Sequence, residues 1–386
     1  MDEELNKTRF SQDASPGGLA QHYRPGMTVG SDYLLERFIG QGGMGLVFAA
    51  THKIIKQKYA IKILAPELLN DQNWLRFQRE AQALAKLNHP TIVQVFNLGI
   101  DNERCPFCVM EYIDGTSLED FLRKNGPLPI LEALEVFYQV ASALDTAHKN
   151  KIIHRDIKPG NIMLVKNPQP GQSSVKLVDF GLARMQVEKD PFGLEKHTAG
   201  GAQQFLTGKG DVFGSPFYMS PEQCRGEEVD RRTDYYSLGC SFFEALTGKV
   251  PFAGDSVFET LKMHENTRPP TLQQAAPQLT FMPALEDMVA KMLAKSPDHR
   301  YQSAADIMHD MDRLFRGRTV TKSKAITTIS PDPYAEPLFE PDEMPQEIPV
   351  PKKNVKALTI SALTLALFMA GGAAALLHTQ QQNKPS

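Results

Sequence analysis

The spacing of apolar residues changes along the chain, and each change marks a different kind of element. Short apolar runs interrupted by glycine predict two strands joined by a glycine turn over Tyr33–Ala50, and a further strand over Tyr59–Leu64. From Asp71 to Leu87 the apolar residues recur at three- and four-residue steps, which predicts an amphipathic helix. Asn88-His89-Pro90 ends this helix, because the residue before a proline avoids the helical region.

The middle of the chain predicts a mixture of short strands and one long, well-buried helix. These elements are Ile92–Leu98, Phe107–Glu111, the helix Leu131–His148, Ile162–Val165 and Val175–Val178. Periodicity is lost between Leu182 and Gly214, and a loop of this length inside a compact domain is usually functional or mobile. Helical patterns then continue to about Phe315, so the sequence predicts an α+β fold.

The C-terminal part of the chain has a different composition. Prolines alternate with acidic residues over residues 317–354, which is typical of an extended or disordered linker. Residues 357–377 carry no charge, and as a helix they would be about 31 Å long, the thickness of a bilayer's hydrocarbon. We therefore predict one transmembrane helix over residues 355–377; the alternative is a buried C-terminal helix.

Residues beside and within this segment also predict its orientation in the membrane and its possible pairing with a second helix. The positive-inside rule favours a cytoplasmic domain, with the short polar tail 378–386 on the opposite side, because three lysines precede the segment: Lys352, Lys353 and Lys356. The segment would contact the lipid bilayer, and small residues at four-residue spacing are compatible with a homodimer through paired helices: Ala366, Ala370 and Ala374.

Composition and charge exclude several classes of protein. Of the 386 residues, 41% are apolar and 23% charged, as in a globular protein with a core, and the net charge of −3 argues against a nucleic-acid partner. Four cysteines are too few for a disulfide framework; Cys105 and Cys108 form either a metal or redox pair, or a turn followed by a buried strand residue. Residues 1–30 contain no signal-peptide core and are predicted to be a disordered leader.

The candidate chemistry centres on residues 154–161, His-Arg-Asp-Ile-Lys-Pro-Gly-Asn. This stretch puts a potential base (Asp156), a cation (Lys158) and a metal-binding amide (Asn161) in one short loop. Phosphoryl transfer needs a positioned hydroxyl, neutralised phosphate charge and a held Mg²⁺. Because an Asp beside an Arg is by itself usually a surface ion pair, the interpretation depends on the surrounding sequence.

A glycine-rich stretch and a strand lysine lie upstream of that loop. Residues 40–47, Gly-Gln-Gly-Gly-Met-Gly-Leu-Val, allow backbone N–H groups to close over phosphates. The alternative, a dinucleotide fingerprint, should open a helix; since the sequence continues as a strand, we predict a phosphate lid on a β-hairpin. Lys62 either faces solvent or reaches the phosphates, in which case Glu80 is the candidate carboxylate that holds it.

Two further positions have two interpretations each, and a third is a candidate for an ion pair. Asp179, before Phe180-Gly181, is either a turn residue or the second oxygen ligand of a Mg²⁺ held by Asn161. Residues 110–115 are either a plain connector or a segment whose backbone hydrogen-bonds an adenine edge. Arg300 is a candidate ion-pair partner of Glu222.

Taken together, these motifs make the segment Tyr33 to Phe315 resemble the eukaryotic-like protein kinase family. The residues within the motifs are most similar to those of bacterial serine/threonine kinases. The motifs occur in the family's order: Gly45-Leu46-Val47, Tyr59-Ala60-Ile61-Lys62, Glu80, residues 154–161, Asp179-Phe180-Gly181 and Ser220-Pro221-Glu222. Ser220 stands where the family commonly has alanine. The resemblance implies a two-lobed kinase domain over residues 33–315, with a β-rich N-lobe (33–111) that contains one helix and a mainly helical C-lobe (115–315).

The resemblance also implies roles for individual residues. Asp156 would accept or orient the proton of the substrate hydroxyl, and Lys158 would steady the γ-phosphate of ATP. Asn161 and Asp179 would hold Mg²⁺, or Mn²⁺ in its place, while Lys62 grips the α- and β-phosphates. The implied ATP-binding set is Ile39, Gly40, Gln41, Gly42, Gly43, Met44, Gly45, Leu46, Val47, Ala60, Lys62, Glu80, Met110, Glu111 and Ile113.

Lys158, two residues after the aspartate, is the family's marker for Ser/Thr acceptors in protein substrates. Arg155 would pair with a phosphate on the activation loop, placed there by autophosphorylation in trans on one of three residues: Thr198, Thr207 or Ser215. We therefore predict an active, membrane-tethered, ATP- and Mg²⁺-dependent serine/threonine protein kinase. The alternative is a membrane-anchored pseudokinase that acts as a nucleotide-binding scaffold. A small-molecule kinase is disfavoured by residues 220–222.

Overall fold

A six-stranded antiparallel sheet forms the N-terminal lobe. The computed structural model describes residues 22–42, 45–64, 71–101, 105–169, 172–180 and 216–317, all of them within residues 1–327, one unit of the chain. The strands are ordered β1-β2-β3-β4-β6-β5. Their bounds are β1 (Thr28–Val29), β2 (Tyr33–Gly42), β3 (Gly45–His52), β4 (Lys58–Leu64), β5 (Val95–Ile100) and β6 (Pro106–Glu111).

The hairpin β2–β3 carries the glycine-rich stretch. Gly42 and Gly45 are paired across it, and the chain continues from Gly45 as strand β3. The β-hairpin prediction is therefore confirmed, and the dinucleotide interpretation, which required a helix here, is wrong. Gly45 is needed because a Cβ on it would overlap the backbone carbonyl of Ile63 in the neighbouring strand β4.

The amphipathic helix predicted after β4 is confirmed as α1 (Asp71–Ala85). Its apolar side buries Ala81 and Leu84, and the helix packs against β5. β5 begins at Val95, not at the predicted Ile92. The reason is that Ile92 forms a parallel bridge with Leu177 of the other lobe.

The folded domain begins before the predicted end of the leader at residue 30. Tyr23 is only 2% exposed, and its hydroxyl donates to Asp101 Oδ2 at 3.0 Å. The backbone N–H of Gly30 donates to Asp101 Oδ1 at 2.8 Å, and Val29 is fully buried. Residues 23–30 therefore belong to the N-terminal lobe, which corrects the predicted leader boundary.

Helices and a small sheet form the C-terminal lobe. The sheet is β7 (Gly115–Ser117), β8 (Ile162–Val165) and β9 (Val175–Leu177), all antiparallel. The helices are α2 (Leu118–Asn125), α3 (Ile130–Lys149), α4 (Pro221–Cys224), α5 (Arg231–Thr247), α6 (Val257–Asn266), α7 (Leu272–Ala275), α8 (Pro283–Met292) and α9 (Ala304–Phe315).

Helix α5 lies at the centre of this lobe, with almost every side chain buried. It packs on α3, where the rings of Phe242 and Phe137 are 4.8 Å apart. A helix that is buried on most of its surface is typical of a core helix surrounded by others. Local sequence sets the helix ends: Asp230 caps α5 through the N–H of Arg232 at 2.8 Å, and Gly248 ends it in a left-handed conformation.

The predicted ion pair of Glu222 and Arg300 is confirmed. The two side chains are 5% and 0% exposed and form two bonds of 2.7 and 2.8 Å. Burial raises the pKa of Glu222, but the bonds and the charge of Arg300 outweigh burial and hold that pKa below its usual value. The pair fixes α4 to the segment between α8 and α9.

Several predictions concern residues that the structure does not describe. The transmembrane segment 355–377, the tail 378–386 and all but the first residue of the linker 317–354 lie outside the described residues. No helix in the described part of the chain has the length and apolar character to cross a bilayer.

Candidate active site

The stretch 154–161 forms a loop between α3 and β8 and ends in the turn Pro159–Asn161. Lys158 Nζ lies 2.9 Å from Asp156 Oδ2. Asn161 Nδ2 donates to the backbone carbonyl of Asp156 at 2.8 Å and to its Oδ2 at 3.1 Å. Two of the three predicted side chains, Lys158 and Asn161, therefore converge on the carboxylate of the third, Asp156.

Lys62 on β4 reaches across to Asp179, and its Nζ lies 2.8 Å from Asp179 Oδ1. Burial lowers the pKa of Lys62, but the charge and hydrogen bond of Asp179 outweigh burial, so the pKa lies above its usual value. Lys62 is therefore a cation at neutral pH, with its side chain only 13% exposed. The alternative of a lysine on the solvent face of the strand is wrong.

Backbone pairing brings Asp179 next to the 154–161 loop. The N–H of Val178 donates to the carbonyl of Asn161 at 2.9 Å, and Asp179 follows in a left-handed conformation with φ 57°. The two lobes meet nearby, since Val93 N–H donates to Leu177 O at 3.1 Å and Leu177 N–H to Thr91 O at 2.6 Å. The lobes thus bring Lys62, Asp156 and Asp179 to one region.

A buried carboxylate that was not predicted from the sequence holds the backbone of the 154–161 loop through hydrogen bonds. Asp234 on α5 is fully buried and accepts the backbone N–H groups of His154 at 2.8 Å and Arg155 at 2.7 Å. Its Oδ2 also lies 2.7 Å from His148 Nε2. Arg155 has φ 65°, a conformation that non-glycine residues avoid, and these bonds favour it. Asp234 therefore fixes the backbone that presents Asp156.

His154 links the loop to β9. Burial lowers its pKa, so the imidazole is neutral at physiological pH. Its Nε2 donates to Val178 O at 3.0 Å, while Nδ1 accepts the N–H of Asp156 at 3.3 Å. Its ring packs against Phe180 at 4.5 Å. His154 is thus a structural connector between Asp156 and the segment of Asp179.

The described residues of the predicted ATP-binding set lie on β2, β3, β4 and β6, in α1, and in the connector that follows β6. Ala60 on β4 is paired with Met110 on β6, and Met110 is buried. Glu111 ends β6, and its carboxylate forms a 2.7 Å ion pair with Lys176. Leu46 is fully buried in the core of the sheet, so only its backbone can face a nucleotide. The remaining described members of the set are Ile39, Gly40, Gln41, Gly42, Val47 and Ile113.

The turn Pro216–Tyr218 and helix α4 lie beside the loop. Gln223 Nε2 donates to the carbonyl of Arg155 at 3.1 Å, which ties α4 to the loop. Tyr218 donates its hydroxyl to Glu244 at 2.5 Å, and burial raises the pKa of Glu244 above its usual value. Ser220 caps α4 in a reciprocal capping box with Gln223.

The family of the chain follows from comparison with known proteins. The model of the family described as "Protein kinase domain" matches residues 33–311. The chain belongs to the protein kinase family. Its two lobes are the β-sheet N-lobe and helical C-lobe of that fold.

Bacterial serine/threonine-protein kinases are among the relatives of this chain. It is 38% identical over 328 residues to serine/threonine-protein kinase PknB of Mycolicibacterium smegmatis, covering 83% of this chain and 49% of that protein. It is 34% identical over 360 residues to PrkC of Bacillus subtilis, covering 93% of this chain and 49% of that protein. The chain therefore spans about half the length of the relatives it matches.

Solved structures agree with this membership. The PknI kinase domain of Mycobacterium tuberculosis is 27% identical, with a TM-score of 0.56, over 75% of this chain and 99% of that one. Rad53 residues 1–466 in complex with AMP-PNP are 25% identical, with a TM-score of 0.57, over 72% of this chain and 64% of that one.

The donor set of the site suits a hard divalent cation. Because Asn161 uses its nitrogen for Asp156, its amide oxygen is the atom left for a metal, and Asp179 adds a carboxylate. In the described part of the chain no cluster of three or more His, Cys, Asp and Glu side chains forms a metal cage. This is compatible with Mg²⁺, which binds only a few protein ligands when substrate phosphates supply its other oxygen ligands.

Some predicted residues lie outside the described part of the chain. They are Gly43, Met44, Thr198, Thr207 and Ser215. Glu80 lies in α1, but its side chain is also outside that part, so its predicted contact with Lys62 stays a prediction.

Proposed function

We propose that this chain is a serine/threonine protein kinase that transfers the γ-phosphate of ATP to hydroxyls of proteins. Asp156 accepts or orients the proton of the attacking hydroxyl, and Lys158 neutralises charge on the transferred phosphate. Lys62 binds the α- and β-phosphates. Bound Mg²⁺, held by Asn161 and Asp179, would supply charge neutralisation between the phosphates.

One observation carries the proposal: Lys62 Nζ and Asp179 Oδ1 are 2.8 Å apart, although 117 positions separate them in the sequence. Such a pair on facing lobes can contact the same triphosphate. If the two side chains faced separate pockets, they could not act on one nucleotide. Positioning and electrostatics account for most catalysis of phosphoryl transfer, so this convergence supports the proposal of a kinase.

An Asp156→Asn variant tests the proposal against the scaffold alternative. Radiolabelled ATP and Mg²⁺ are supplied with myelin basic protein, and transfer and nucleotide binding are both measured. We expect transfer by the wild type, and a loss of roughly 100-fold or more in Asp156→Asn with ATP binding retained. The control is Asp255→Asn, the same change at an exposed position. Nucleotide binding without transfer by the wild type would favour the scaffold.

Regulation through the activation loop is a second part of the proposal. Arg155 lies directly beside Asp156, where its cation can pair with a phosphate on Thr198, Thr207 or Ser215. Mass spectrometry of fully active protein should find phosphate on at least one of these three residues. A loop that is bare in active protein would contradict this mode of activation.

The sequence beyond the domain supports a membrane tether. Residues 357–377 carry no charge, and three lysines precede them, so we infer a single span that anchors a cytoplasmic kinase domain. In fractionated cells the full chain should sediment with membranes, and a chain ending at Gly317 should not. Equal distribution of both between membrane and soluble fractions would exclude the tether.

A further inference from the structure

The connector between the lobes, residues 110–115, lies against the hairpin formed by β8 and β9. The hairpin also carries the two predicted Mg²⁺ ligands, because Asn161 directly precedes β8 and Asp179 is the second residue after β9. The N–H of Val178 donates to the carbonyl of Asn161 at 2.9 Å, which holds the two ends of the hairpin together. Since ATP carries adenine and phosphates in one molecule, the hairpin connects the places predicted for these two parts.

The C-terminal end of the connector is fixed to the hairpin through its backbone. Lys166 N–H donates to the carbonyl of Asp114 at 2.8 Å, and the next residue, Gly115, is paired with Val165 of β8. Backbone bonds of this kind do not depend on the chemistry of the side chains. This end of the connector should therefore stay in place when a side chain nearby is substituted.

The N-terminal end of the connector meets the hairpin through a side chain. Lys176 on β9 donates from Nζ to Glu111 Oε2 at 2.7 Å, although 65 positions separate the two residues. The same oxygen accepts the N–H of Gln94 at 3.3 Å, and the carbonyl of Gln94 accepts the N–H of Glu111 at 2.9 Å. Glu111 is therefore held by Gln94 of the N-terminal lobe and by Lys176 of the C-terminal lobe.

The strand that carries Lys176 is itself firmly held. The next residue, Leu177, accepts the N–H of Val93 at 3.1 Å and donates to the carbonyl of Thr91 at 2.6 Å. The side chain of Lys176 thus extends from a fixed strand to Glu111. Exposed ion pairs contribute little because water screens them, but these two side chains are only 18% and 29% exposed, so their attraction is screened less.

We propose that Lys176 is a positioning residue for ATP: its bond to Glu111 sets the separation between the connector that binds adenine and the hairpin that carries Asn161 and Asp179. The inference rests on the proposed kinase function and deepens it, since it concerns the same nucleotide site. A ligand that spans both places depends on this separation. A ligand that occupies the adenine place alone does not.

ATP and adenosine are the two probes that separate these cases. Dissociation constants of ATP with Mg²⁺ and of adenosine are measured on the full-length protein, together with Tm. We expect Lys176→Met to weaken ATP binding roughly 5-fold, as for an ion pair at the upper end of the range for surface pairs, and to change adenosine binding less than about twofold. Lys176→Arg keeps the charge and should keep ATP binding within about twofold of wild type. The control is Lys166→Met, the same change at an exposed position of the hairpin.

A double-mutant cycle tests whether Lys176 acts through Glu111. Glu111→Gln removes the charge of the carboxylate and keeps the backbone of the connector, so it should weaken ATP binding by a similar factor. The double variant should bind ATP no more weakly than either single variant, because both substitutions break the same bond. Additive effects would overturn the proposal. If Lys176→Met does not fold, Glu111→Gln breaks the pair from the other side, and ATP binding within twofold of wild type would overturn the proposal.

The binding constants also distinguish positioning from a general loss of structure. ATP binding by Lys176→Met within twofold of wild type would overturn the proposal. A parallel weakening of ATP and adenosine with a lower Tm would also overturn it, since a disrupted connector affects both ligands. Wild-type protein that binds ATP but labels no acceptor would refute the proposed function, while the role of Lys176 would still be decided by these constants. Transfer by wild type with unaltered binding in the variants would remove only the role of Lys176.

Discussion

Asp234→Asn is the substitution that most directly tests how the loop is held. The change keeps the size of the side chain but replaces one acceptor oxygen with a donor. In the wild type Oδ1 accepts from Arg155 N–H, and Oδ2 accepts from His154 N–H and lies 2.7 Å from His148 Nε2. Whichever way the amide is turned, one of the two backbone N–H groups then faces another donor.

The size of the effect follows from these bonds. A hydrogen bond to a charged acceptor contributes about 1.5–3 kcal/mol, and a left-handed residue costs about 1–2 kcal/mol. Arg155, with φ 65°, is held in that conformation by the bonds to Asp234. Losing one of them lets Arg155 relax and displaces Asp156. We expect about 2–3 kcal/mol less transition-state stabilisation, which is a roughly 30- to 150-fold lower kcat.

The assay is steady-state phosphate transfer with myelin basic protein, together with KM for ATP and the Tm of each protein. KM for ATP should change little, because Lys62 is bound to Asp179 and not to the displaced loop. Asp230→Asn is the matched control: Asp230 is exposed and caps the same helix, and asparagine caps equally well. A kcat for Asp234→Asn within threefold of that of Asp230→Asn would refute this account of the loop.

Three further outcomes are expected. Gly45→Ala should lower stability by about 1–3 kcal/mol because its Cβ would overlap the backbone of the next strand, whereas Gly40→Ala, with no atom within 4 Å, should leave Tm nearly unchanged. Arg300→Met should cost about 3–5 kcal/mol by leaving Glu222 buried without its cation, seen as a Tm lower by roughly 10 °C. The pKa of His264 is lowered to about 3, so the stability linked to its neutral form is complete above the unfolded pKa and is lost as pH falls from about 6.5 towards 3. His264→Gln should therefore lose less Tm than wild type between pH 6.5 and 4; equal losses would contradict that pKa.

The local parts of the site could be predicted from the sequence. Asp156, Lys158 and Asn161 lie within six positions of one another, so a single turn must bring them together. The strand after Gly45 was predictable because the apolar residues that follow it show no helical period. In both cases, residue types and short spacings in the sequence were enough to make the prediction.

Contacts between distant positions were not predictable in the same way. Asp234 binds backbone N–H groups 79 and 80 positions earlier in the chain, and backbone groups leave no trace in a sequence. An aspartate near the start of a helix is ordinarily read as a cap or first-turn residue. Its position ahead of a run of buried apolar residues was the one available signal. The start of β5 was missed for a similar reason, since Ile92 pairs with Leu177 across the lobes.

The burial of Tyr23 has a practical consequence for recombinant fragments. The family match begins at residue 33, so a fragment cut there would discard Tyr23, Val29 and Gly30. Asp101 would lose the hydrogen bonds from Tyr23 and Gly30, and the ring of Phe107, which Gly30 covers, would become open to water. A soluble catalytic fragment of this protein should therefore start no later than residue 22.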